Sequence, residues 1–255
     1  MSTHVNGSNE NGIANGISPK ITLYTNHNCP WAHRAHITLK CLNLPYEEVI
    51  IPLDRPREQW YLDINPRGLV PSIKISNGIL KDEIIAESAI VSIFLADNYP
   101  SPSFYPASHS APTSALTRAR ISFFVDTFFN KVNGSFYPLL KAEDGEEKEK
   151  VARELVAAVE KEVDPLLEGA GPFFGGSKEM TLAEALTAPF VIRYKTFSEY
   201  GLMPRSMWKQ LTALSNFSKW AEAVCAQESV TYVFDGPAIA KGFEERLQKM
   251  KAQGK

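Results

Sequence analysis

The chain has 255 residues, of which 44% are hydrophobic and 22% are charged, and its formal net charge is −2. The length predicts one or two domains, and the composition is that of a globular protein with a hydrophobic core. A net charge this close to zero excludes a strongly basic surface, so neither nucleic acid nor an anionic membrane is expected as a partner.

The sequence contains 3 cysteines that stand far apart. An odd number at such spacings fits neither a disulfide framework nor a zinc site, so no metal is expected. Free thiols are typical of a reducing compartment, and the predicted location is the cytoplasm. No apolar run approaches the roughly 18 residues of a membrane span, and the N-terminus lacks the basic and apolar segments of a secretory signal.

Residues 1–18 are rich in Asn, Gly and Ser, with Asn-Gly repeated at 6–7, 11–12 and 15–16. Such a segment buries too little apolar surface to offset the entropy lost when its backbone is ordered. We predict that these residues form a flexible tail.

The next part of the chain alternates predicted strands and helices. A β-branched and aromatic run, KITLYT at 20–25, predicts the first strand. Pro30 suits the first position of a helix, because its missing N–H would have no partner there. A second strand is predicted in YEEVII at 46–51, and a short helix in REQWYLDI at 57–64.

An Asn-Gly pair at 77–78 predicts a hairpin with a two-residue turn between the runs VPSIKI and GILKDE. A helix is then predicted in ESAIVSIFLADNYP at 87–100. Strands joined by a helix run parallel, and strands joined by a tight turn run antiparallel. The order β-α-β-α-β-β-α therefore predicts a mixed four-stranded sheet with helices.

A proline-rich linker is predicted at 102–112, between an α/β domain at 19–101 and an all-helical domain at 113–255. Helical periodicity in TRARISFFVDTFFNKV and KEKVARELVAAVEKEVDPLL, with no strand pattern between them, supports the second domain. The predicted fold class is α/β plus all-α.

Cys29 lies where the first strand gives way to the first helix. A helix N-terminus carries about half a positive charge and unpaired N–H groups, which favour a thiolate over a thiol. We predict a pKa lowered toward the range of about 3.5–7.5, and therefore a nucleophilic sulfur. Arg34 follows within the same helix and could add positive charge. Ala32 stands where a dithiol motif has its second cysteine, so an outside thiol must resolve any mixed disulfide.

The same residue types also have simpler interpretations. Free cysteine is among the most buried residue types, so Cys29 has a structural alternative, and Cys41 and Cys225 are predicted to be core residues. His27 and His33 flank the thiol, and a solvated or structural role is the more usual one for such residues.

Two further motifs suit an extended peptide ligand. A cis bond at Val70-Pro71 would turn the Val70 backbone outward for strand-like pairing, although a trans proline that opens a strand is commoner. Glu87-Ser88 stands at a helix start, where such residues usually cap the helix. Helix N-termini also bind carboxylates, so Ser88 is a candidate for a ligand carboxylate and Glu87 for an ammonium group.

In the helical part, residues 181–184, Thr-Leu-Ala-Glu, have the form of a capping box. Large aromatic side chains are predicted to form core, with the wall of a second-substrate pocket as the alternative. They are Phe123, Phe124, Phe128, Phe129, Tyr137, Trp208 and Trp220. The candidates for that pocket are Trp31, Phe124, Phe128 and Trp220.

Three motifs together, CPWA at 29–32, NPRGLVP at 65–71 and Glu87-Ser88, resemble the cytosolic glutathione transferases. The closest resemblance is to the omega class, which has cysteine where most classes have tyrosine or serine. It covers about residues 20–225. It implies a thioredoxin-like N-terminal domain, an all-helical C-terminal domain, glutathione as co-substrate and a homodimer.

The resemblance also implies roles for the glutathione-binding residues. Val70, beside the cis-proline Pro71, would pair through its backbone with the cysteinyl unit of glutathione. Glu87 and Ser88 would hold the γ-glutamyl end, and Arg57 would lie near the glycyl carboxylate.

The implied chemistry is thiol transfer through a mixed disulfide between Cys29 and glutathione. The family's typical reactions are deglutathionylation, reduction of dehydroascorbate and reductive cleavage of S-(phenacyl)glutathiones, so the second substrate is a small electrophilic or glutathionylated molecule. Three alternatives stay open. They are a glutathionyl-hydroquinone reductase, a glutathione transferase of one specialised pathway, and a glutathione-binding interaction scaffold.

Overall fold

The computed structural model describes residues 18–142 and 145–252. The predicted tail lies outside the described residues except for Ser18, so its flexibility stays a prediction, as do the domain boundaries. Within the described part, the strands of the sheet lie between residues 20 and 86, and helices dominate from residue 114 onward.

Within the described residues, four strands form one mixed sheet. They are β1 Lys20–Thr25, β2 Glu47–Ile50, β3 Ser72–Ser76 and β4 Glu83–Ala86. Their order across the sheet is β2-β1-β3-β4. β1 runs parallel to β2 and antiparallel to β3, and β3 runs antiparallel to β4. The predicted mixed four-stranded sheet is confirmed.

The connection between β3 and β4 is longer than the predicted two-residue turn. β4 begins only at Glu83, so the connection runs over residues 77–82. The Asn77 side chain accepts hydrogen bonds from the N–H groups of Ile79 at 3.3 Å and Leu80 at 2.9 Å. These hydrogen bonds to the Asn77 side chain occupy N–H groups that would otherwise be available for pairing between β3 and β4. The antiparallel hairpin is confirmed, but the two-residue turn is wrong.

Three helices accompany the sheet: α1 Pro30–Cys41, α2 Gln59–Ile64 and α3 Ser88–Asn98. α1 and α3 cover one face, where Leu23 and Leu39 are fully buried in one apolar cluster. α2 contributes Tyr61 to a second cluster, with Tyr24 of β1, and the Cys29 side chain packs at the edge of this cluster. Burial on both sides fixes the N-terminus of α1, and this holds the thiol in place.

The described residues after α3 are mainly helical. The helices are α4 Ser114–Thr127, α5 Phe136–Lys141, α6 Glu146–Ala158, α7 Leu182–Glu199, α8 Arg205–Leu211, α9 Phe217–Ala226, α10 Glu228–Thr231 and α11 Gly236–Ala252. π-helical segments continue α4 over Phe128–Val132 and α6 over Val159–Val163. α7 is buried along nearly its whole length and packs against α1. In the part of the chain that the structure describes, no helix combines the length and the apolar character needed to cross a membrane.

The predicted capping box is present at the start of α7. Thr181 Oγ1 accepts a hydrogen bond from the Ala183 N–H at 3.1 Å, and the Thr181 N–H donates to Glu184 Oε2 at 2.8 Å. The other carboxylate oxygen of Glu184 accepts from the Phe174 N–H and from Trp220 Nε1, each at 2.8 Å. The fully buried Glu184 therefore ties α7 to α9 and to the loop before α7.

Candidate functional site

Cys29 occupies the last position before α1. Its backbone is extended, with φ −84° and ψ 119°, and its carbonyl accepts the first helical hydrogen bond, from the His33 N–H at 3.1 Å. The Cys29 N–H donates to the Asn26 carbonyl at 3.0 Å, which closes a turn after β1. Pro30 is the first residue of the helix, as predicted. The sulfur is therefore held against the N-terminal end of α1.

Burial raises the pKa of the Cys29 thiol above its ordinary value. The backbone N–H groups of Ala32 and Trp31 and the guanidinium groups of Arg193 and Arg246 lower the pKa, but their combined effect is smaller. The predicted lowering of the pKa is therefore wrong, because the hydration lost on burial outweighs the effect of the helix N-terminus. At neutral pH this sulfur is mostly protonated.

A loop with a cis proline faces the thiol. The Val70-Pro71 bond is cis, as predicted, and the Cys29 sulfur lies 4.0 Å from the Val70 carbonyl oxygen, toward which its S–H is the donor. The hydroxyl of Tyr61 holds this loop by donating to the Leu69 carbonyl at 2.6 Å. Among the described residues the Val70 N–H has no hydrogen-bond partner. One backbone donor is thus left unpaired in the loop that faces the sulfur.

Glu87 and Ser88 lie together at the start of α3. Glu87 has a φ of 72°, a left-handed conformation that is uncommon outside glycine, and its carboxylate pairs with the Arg67 guanidinium. Ser88 is buried, and its hydroxyl accepts a hydrogen bond from Arg34 Nη1 at 3.0 Å. The helix start therefore presents an acidic group at the surface and a hydroxyl backed by a cation beneath it.

Arg57 is held by backbone carbonyls. Its Nε donates to Gly68 at 3.0 Å, and its Nη1 donates to Pro52 at 2.6 Å and to Arg55 at 2.7 Å. Gly68 has a φ of 62°, and a Cβ there would lie 3.0 Å from Arg57 Cγ, so this close approach requires glycine. The guanidinium joins two loops, and only its Nη2 group is left for the predicted contact with a carboxylate.

Arg34 is buried in α1 and connects the parts of the site. Its Nε donates to the Leu186 carbonyl of α7 at 2.8 Å, and its guanidinium lies 4.5 Å from the Trp31 ring centre and 4.2 Å from that of Phe129. Burial lowers the pKa of Arg34 to about 9, and proximity to Cys29 raises it. The residue therefore stays cationic at neutral pH, beside the thiol and inside an aromatic cluster.

The comparisons with known proteins agree with this geometry. Residues 28–98 match the family model for the Glutathione S-transferase N-terminal domain. The chain is 28% identical over 202 residues to Glutathione S-transferase DHAR2 of Arabidopsis thaliana, across 79% of this chain and 81% of that one. It is 26% identical over 220 residues to Glutathione S-transferase omega-2 of Homo sapiens, across 85% and 83%. It matches the crystal structure of glutathione transferase Omega 1C from Trametes versicolor with a TM-score of 0.74 at 27% identity, across 90% and 97% of the two chains.

The chain is an omega-like glutathione transferase. It is therefore an enzyme, and it belongs to a family that binds glutathione. Its relatives support glutathione-dependent thiol transfer or reduction as its activity. The thioredoxin-like sheet followed by a helical part is the fold of this family.

In this glutathione transferase, three of the four residues predicted for the second-substrate pocket belong to the core. Phe124, Phe128 and Trp220 are only 1%, 0% and 0% exposed, so none presents a surface to a ligand. The core alternative is correct for these three, and the pocket assignment is wrong. Trp31 is half-buried and packs against Phe129, with ring centres 5.5 Å apart.

Tyr137 is an accessible aromatic residue that the sequence pattern grouped with the core. It is 40% exposed, and its phenol interacts electrostatically with Cys29, Arg193 and Arg246. Burial of the phenol and the neighbouring sulfur raise its pKa, so the hydroxyl stays neutral. Tyr137 therefore offers a ring and a neutral hydroxyl close to the thiol.

A cluster of potential metal ligands lies between the thiol loop and β2. The ligating atoms of His27, His36 and Glu48 lie within 4.8 Å of one another. Glu48 pairs with His27, and the two ring nitrogens of His36 bond to Thr25 Oγ1 at 2.8 Å and Tyr46 Oη at 3.0 Å. Burial lowers the pKa of His36 to about 4, so its ring is neutral. Each of the three side chains thus has a protein partner.

Proposed function

We propose that the protein transfers and reduces thiols through a mixed disulfide between Cys29 and glutathione. The observation that carries the proposal is the single thiol before α1, which lies 4.0 Å from the Val70 carbonyl in a loop whose Val70 N–H is unpaired. Ala32 stands three residues after the thiol, where a dithiol motif has its second cysteine, so the motif itself cannot resolve an intermediate. An external thiol must complete the cycle, and glutathione is that thiol.

The same geometry supports a mode of glutathione binding. The N–H and carbonyl of Val70 would pair with the backbone of the cysteinyl unit, as in strand addition, which brings the two sulfurs together. Glu87 would accept hydrogen bonds from the α-ammonium group. Ser88 and the first N–H groups of α3 would bind the α-carboxylate. For the glycyl carboxylate, Arg57 offers its Nη2 group.

The proposed cycle has two exchanges between sulfur atoms. The Cys29 thiolate attacks the glutathionyl sulfur of a substrate disulfide, the Cys29–glutathione bond forms, and the substrate leaves as a thiolate that takes up a proton. The thiolate of a second glutathione then attacks the glutathionyl sulfur of the mixed disulfide. Glutathione disulfide is released and the Cys29 thiolate is restored. The net reaction consumes one glutathione for each glutathionylated substrate.

The second substrate is proposed to be a small electrophilic or glutathionylated molecule. Trp31 and Tyr137 support this proposal, because both are aromatic, partly accessible and close to Cys29. Glutathionylated peptides, dehydroascorbate and S-(phenacyl)glutathione are the appropriate test substrates. Dehydroascorbate takes two electrons and two protons from two glutathiones, which leave as one disulfide.

We further propose a cytoplasmic location and a homodimer. The three cysteines are all free in the structure, which suits a reducing compartment. The dimer follows from the family resemblance alone. Light scattering after size-exclusion chromatography tests it, and a monomer mass over the whole working concentration range rejects it.

Intact-mass spectrometry after incubation with glutathione disulfide tests the mechanism. The wild-type protein and the controls Cys41→Ser and Cys225→Ser should each gain one glutathionyl group that added glutathione removes. Cys29→Ser should gain none and should lose thiol-transfer activity. An unchanged rate in Cys29→Ser rejects the mechanism. Retention on immobilised glutathione by a wild-type protein that turns over none of the test substrates would instead identify a binding scaffold.

A further inference from the structure

Arg193 of α7 is a fully buried cation, and no acidic side chain of the described residues pairs with it. Its Nη1 donates to the Pro189 carbonyl at 2.8 Å and to His33 Nδ1 at 3.2 Å, and its Nη2 lies 3.3 Å from each of the carbonyls of His27 and Asn28. Its Nε has no hydrogen-bond partner among the described residues. All of these acceptors are neutral atoms, so no carboxylate in the described part of the chain compensates the charge.

His33, which accepts a hydrogen bond from Arg193, does not neutralise the charge of this guanidinium. The hydrogen bonds of its ring assign its protonation state. Its Nε2 lies 2.9 Å from the Val230 carbonyl, which only accepts, so Nε2 carries the proton and Nδ1 accepts from Arg193. Burial and the adjacent Arg193 lower the pKa of His33 well below its ordinary value, so the ring is neutral. The ring stacks on Phe234, with centres 5.7 Å apart, which fixes its orientation. His33 therefore orients Arg193 without neutralising it.

Burying a charge without a counter-charge costs folding free energy. A buried cation is therefore expected where an opposite charge forms nearby. Proximity to Cys29 and to Tyr137 raises the pKa of Arg193 against the effect of burial. Tyr137 keeps its proton, because its own pKa is raised. The Cys29 sulfur is the remaining neighbour, and the proposed reaction makes it an anion in each cycle.

We propose that Arg193, oriented by neutral His33, is a positioning residue for thiol transfer. It fixes the two carbonyls that precede Cys29 and places a buried positive charge beside the sulfur as the thiolate forms. This inference rests on the proposed role of Cys29 as nucleophile. The proposal assigns a role in thiol transfer to a residue of α7, outside the N-terminal motifs that resemble the family.

Other groups also face the sulfur, and the experiment must separate them from Arg193. Arg34 lies on the same helix as the thiol, Arg246 approaches from α11, and Tyr137 approaches from α5. Arg246 is exposed, so salt should screen its effect, whereas salt screens a buried charge much less.

The test measures the rate of iodoacetamide alkylation of Cys29 as a function of pH, with the modified residue identified by peptide mapping. Arg193→Met should raise the midpoint by roughly one pH unit and slow alkylation at pH 7.5 about tenfold. Arg193→Lys keeps the charge and should restore most of the wild-type midpoint. Arg118→Met is the matched control. Like Arg193 over Phe234, the Arg118 guanidinium lies over an aromatic ring, that of Tyr105, but it is paired with Asp97. The midpoint of Arg118→Met should equal that of the wild type.

Equal midpoints in Arg193→Met and the wild type would overturn the proposal and leave Arg193 a purely structural tie. If Arg193→Met does not fold, Arg193→Gln takes its place, because it keeps a hydrogen-bond donor for the two carbonyls before Cys29 but carries no charge. Its midpoint should rise in the same way, and a midpoint equal to that of the wild type overturns the proposal. Alkylation of Cys29 does not require turnover. Full activity in Cys29→Ser would reject the proposed function, and this outcome is independent of the alkylation midpoints that test Arg193.

Discussion

The Arg34 guanidinium donates a hydrogen bond to the Ser88 hydroxyl at 3.0 Å. This contact joins the helix that begins after the thiol to the helix start proposed for the γ-glutamyl carboxylate. The bond from Arg34 Nε to the Leu186 carbonyl ties both helices to α7. One buried cation thus connects the proposed glutathione site with the helical part of the protein.

Replacement of Arg34 should weaken glutathione binding more than it slows turnover. Arg34→Met removes the charge beneath the carboxylate site, and we expect the KM for glutathione to rise about tenfold, which corresponds to about 1.4 kcal/mol. Steady-state kinetics at varied glutathione concentration measure this change. Arg120→Met, which removes an exposed guanidinium on α4, is the control and should leave KM unchanged. A lower melting temperature with an unchanged KM would show that Arg34 only holds the helices together.

The reactivity of Cys29 should increase with pH through and beyond neutrality. Burial holds the pKa of Cys29 above its ordinary value of about 8.5. The thiolate fraction, and with it the single-turnover rate on a glutathionylated test disulfide, should rise about tenfold per pH unit between about pH 6.5 and 8.5. A thiolate of high pKa is also intrinsically more nucleophilic, so a small fraction suffices. A rate that reaches its plateau below pH 7 would contradict the raised pKa.

Acid should destabilise the protein through the buried neutral histidine His36. Its folded-state pKa is about 4, and an unfolded histidine has a pKa of about 6.5, so the unfolded chain binds more protons below this value. The stability that His36 contributes is complete above about pH 6.5 and is lost as the pH falls toward 4. The expected loss is about 3 kcal/mol in the free energy of unfolding.

Urea unfolding at a series of pH values measures this loss. His36→Gln should flatten the decline between about pH 6.5 and 4, even if it lowers stability at pH 7. His109→Gln, on the exposed His109, is the control and should keep the wild-type slope. An unchanged slope in His36→Gln would assign the acid sensitivity to other groups.

The features predicted correctly from the sequence depend on local chemistry. Pro30 fixes a helix start by its missing N–H, and the capping box at 181–184 depends on groups three residues apart. The direction of the Cys29 pKa shift depends instead on burial by segments that are distant in the sequence. The residues next to Cys29 do not indicate this burial. The core interpretation of the large aromatic residues likewise treated Phe128 and Tyr137 alike, although Phe128 is fully buried and Tyr137 is 40% exposed.

Arg193 is a second residue whose role depends on contacts between segments that lie far apart in the sequence. It stands within TLAEALTAPFVIRYKTF, where a charged residue interrupts an apolar helix, and that interruption is the signal that could have drawn attention to it. Its partners, His27, Asn28 and His33, lie about 160 residues earlier in the sequence. Only the packing of α7 against α1 brings these groups together.

Loss of the Glu184 carboxylate should destabilise the fold more than any change at the exposed surface. Its two oxygens accept from the Thr181 N–H and hydroxyl, the Phe174 N–H and Trp220 Nε1, at 2.7–2.8 Å, and the residue is fully buried. Glu184→Ala leaves these donors without an acceptor, so we expect a loss of about 3 kcal/mol or more in the free energy of unfolding.

Equilibrium urea denaturation of Glu184→Ala measures this loss, with Glu179→Ala as the matched control. The carboxylate of the exposed Glu179 accepts one hydrogen bond, from Ser103 at 2.6 Å, and its removal should change the free energy of unfolding by no more than about 0.5 kcal/mol. Glu184→Asp keeps the charge but is one methylene shorter, so its carboxylate should reach only some of the four donors. Its loss in the free energy of unfolding should lie between those of Glu184→Ala and Glu179→Ala. A loss below about 1 kcal/mol in Glu184→Ala would mean that water or a rearranged loop replaces the carboxylate, and that this box does not anchor α7.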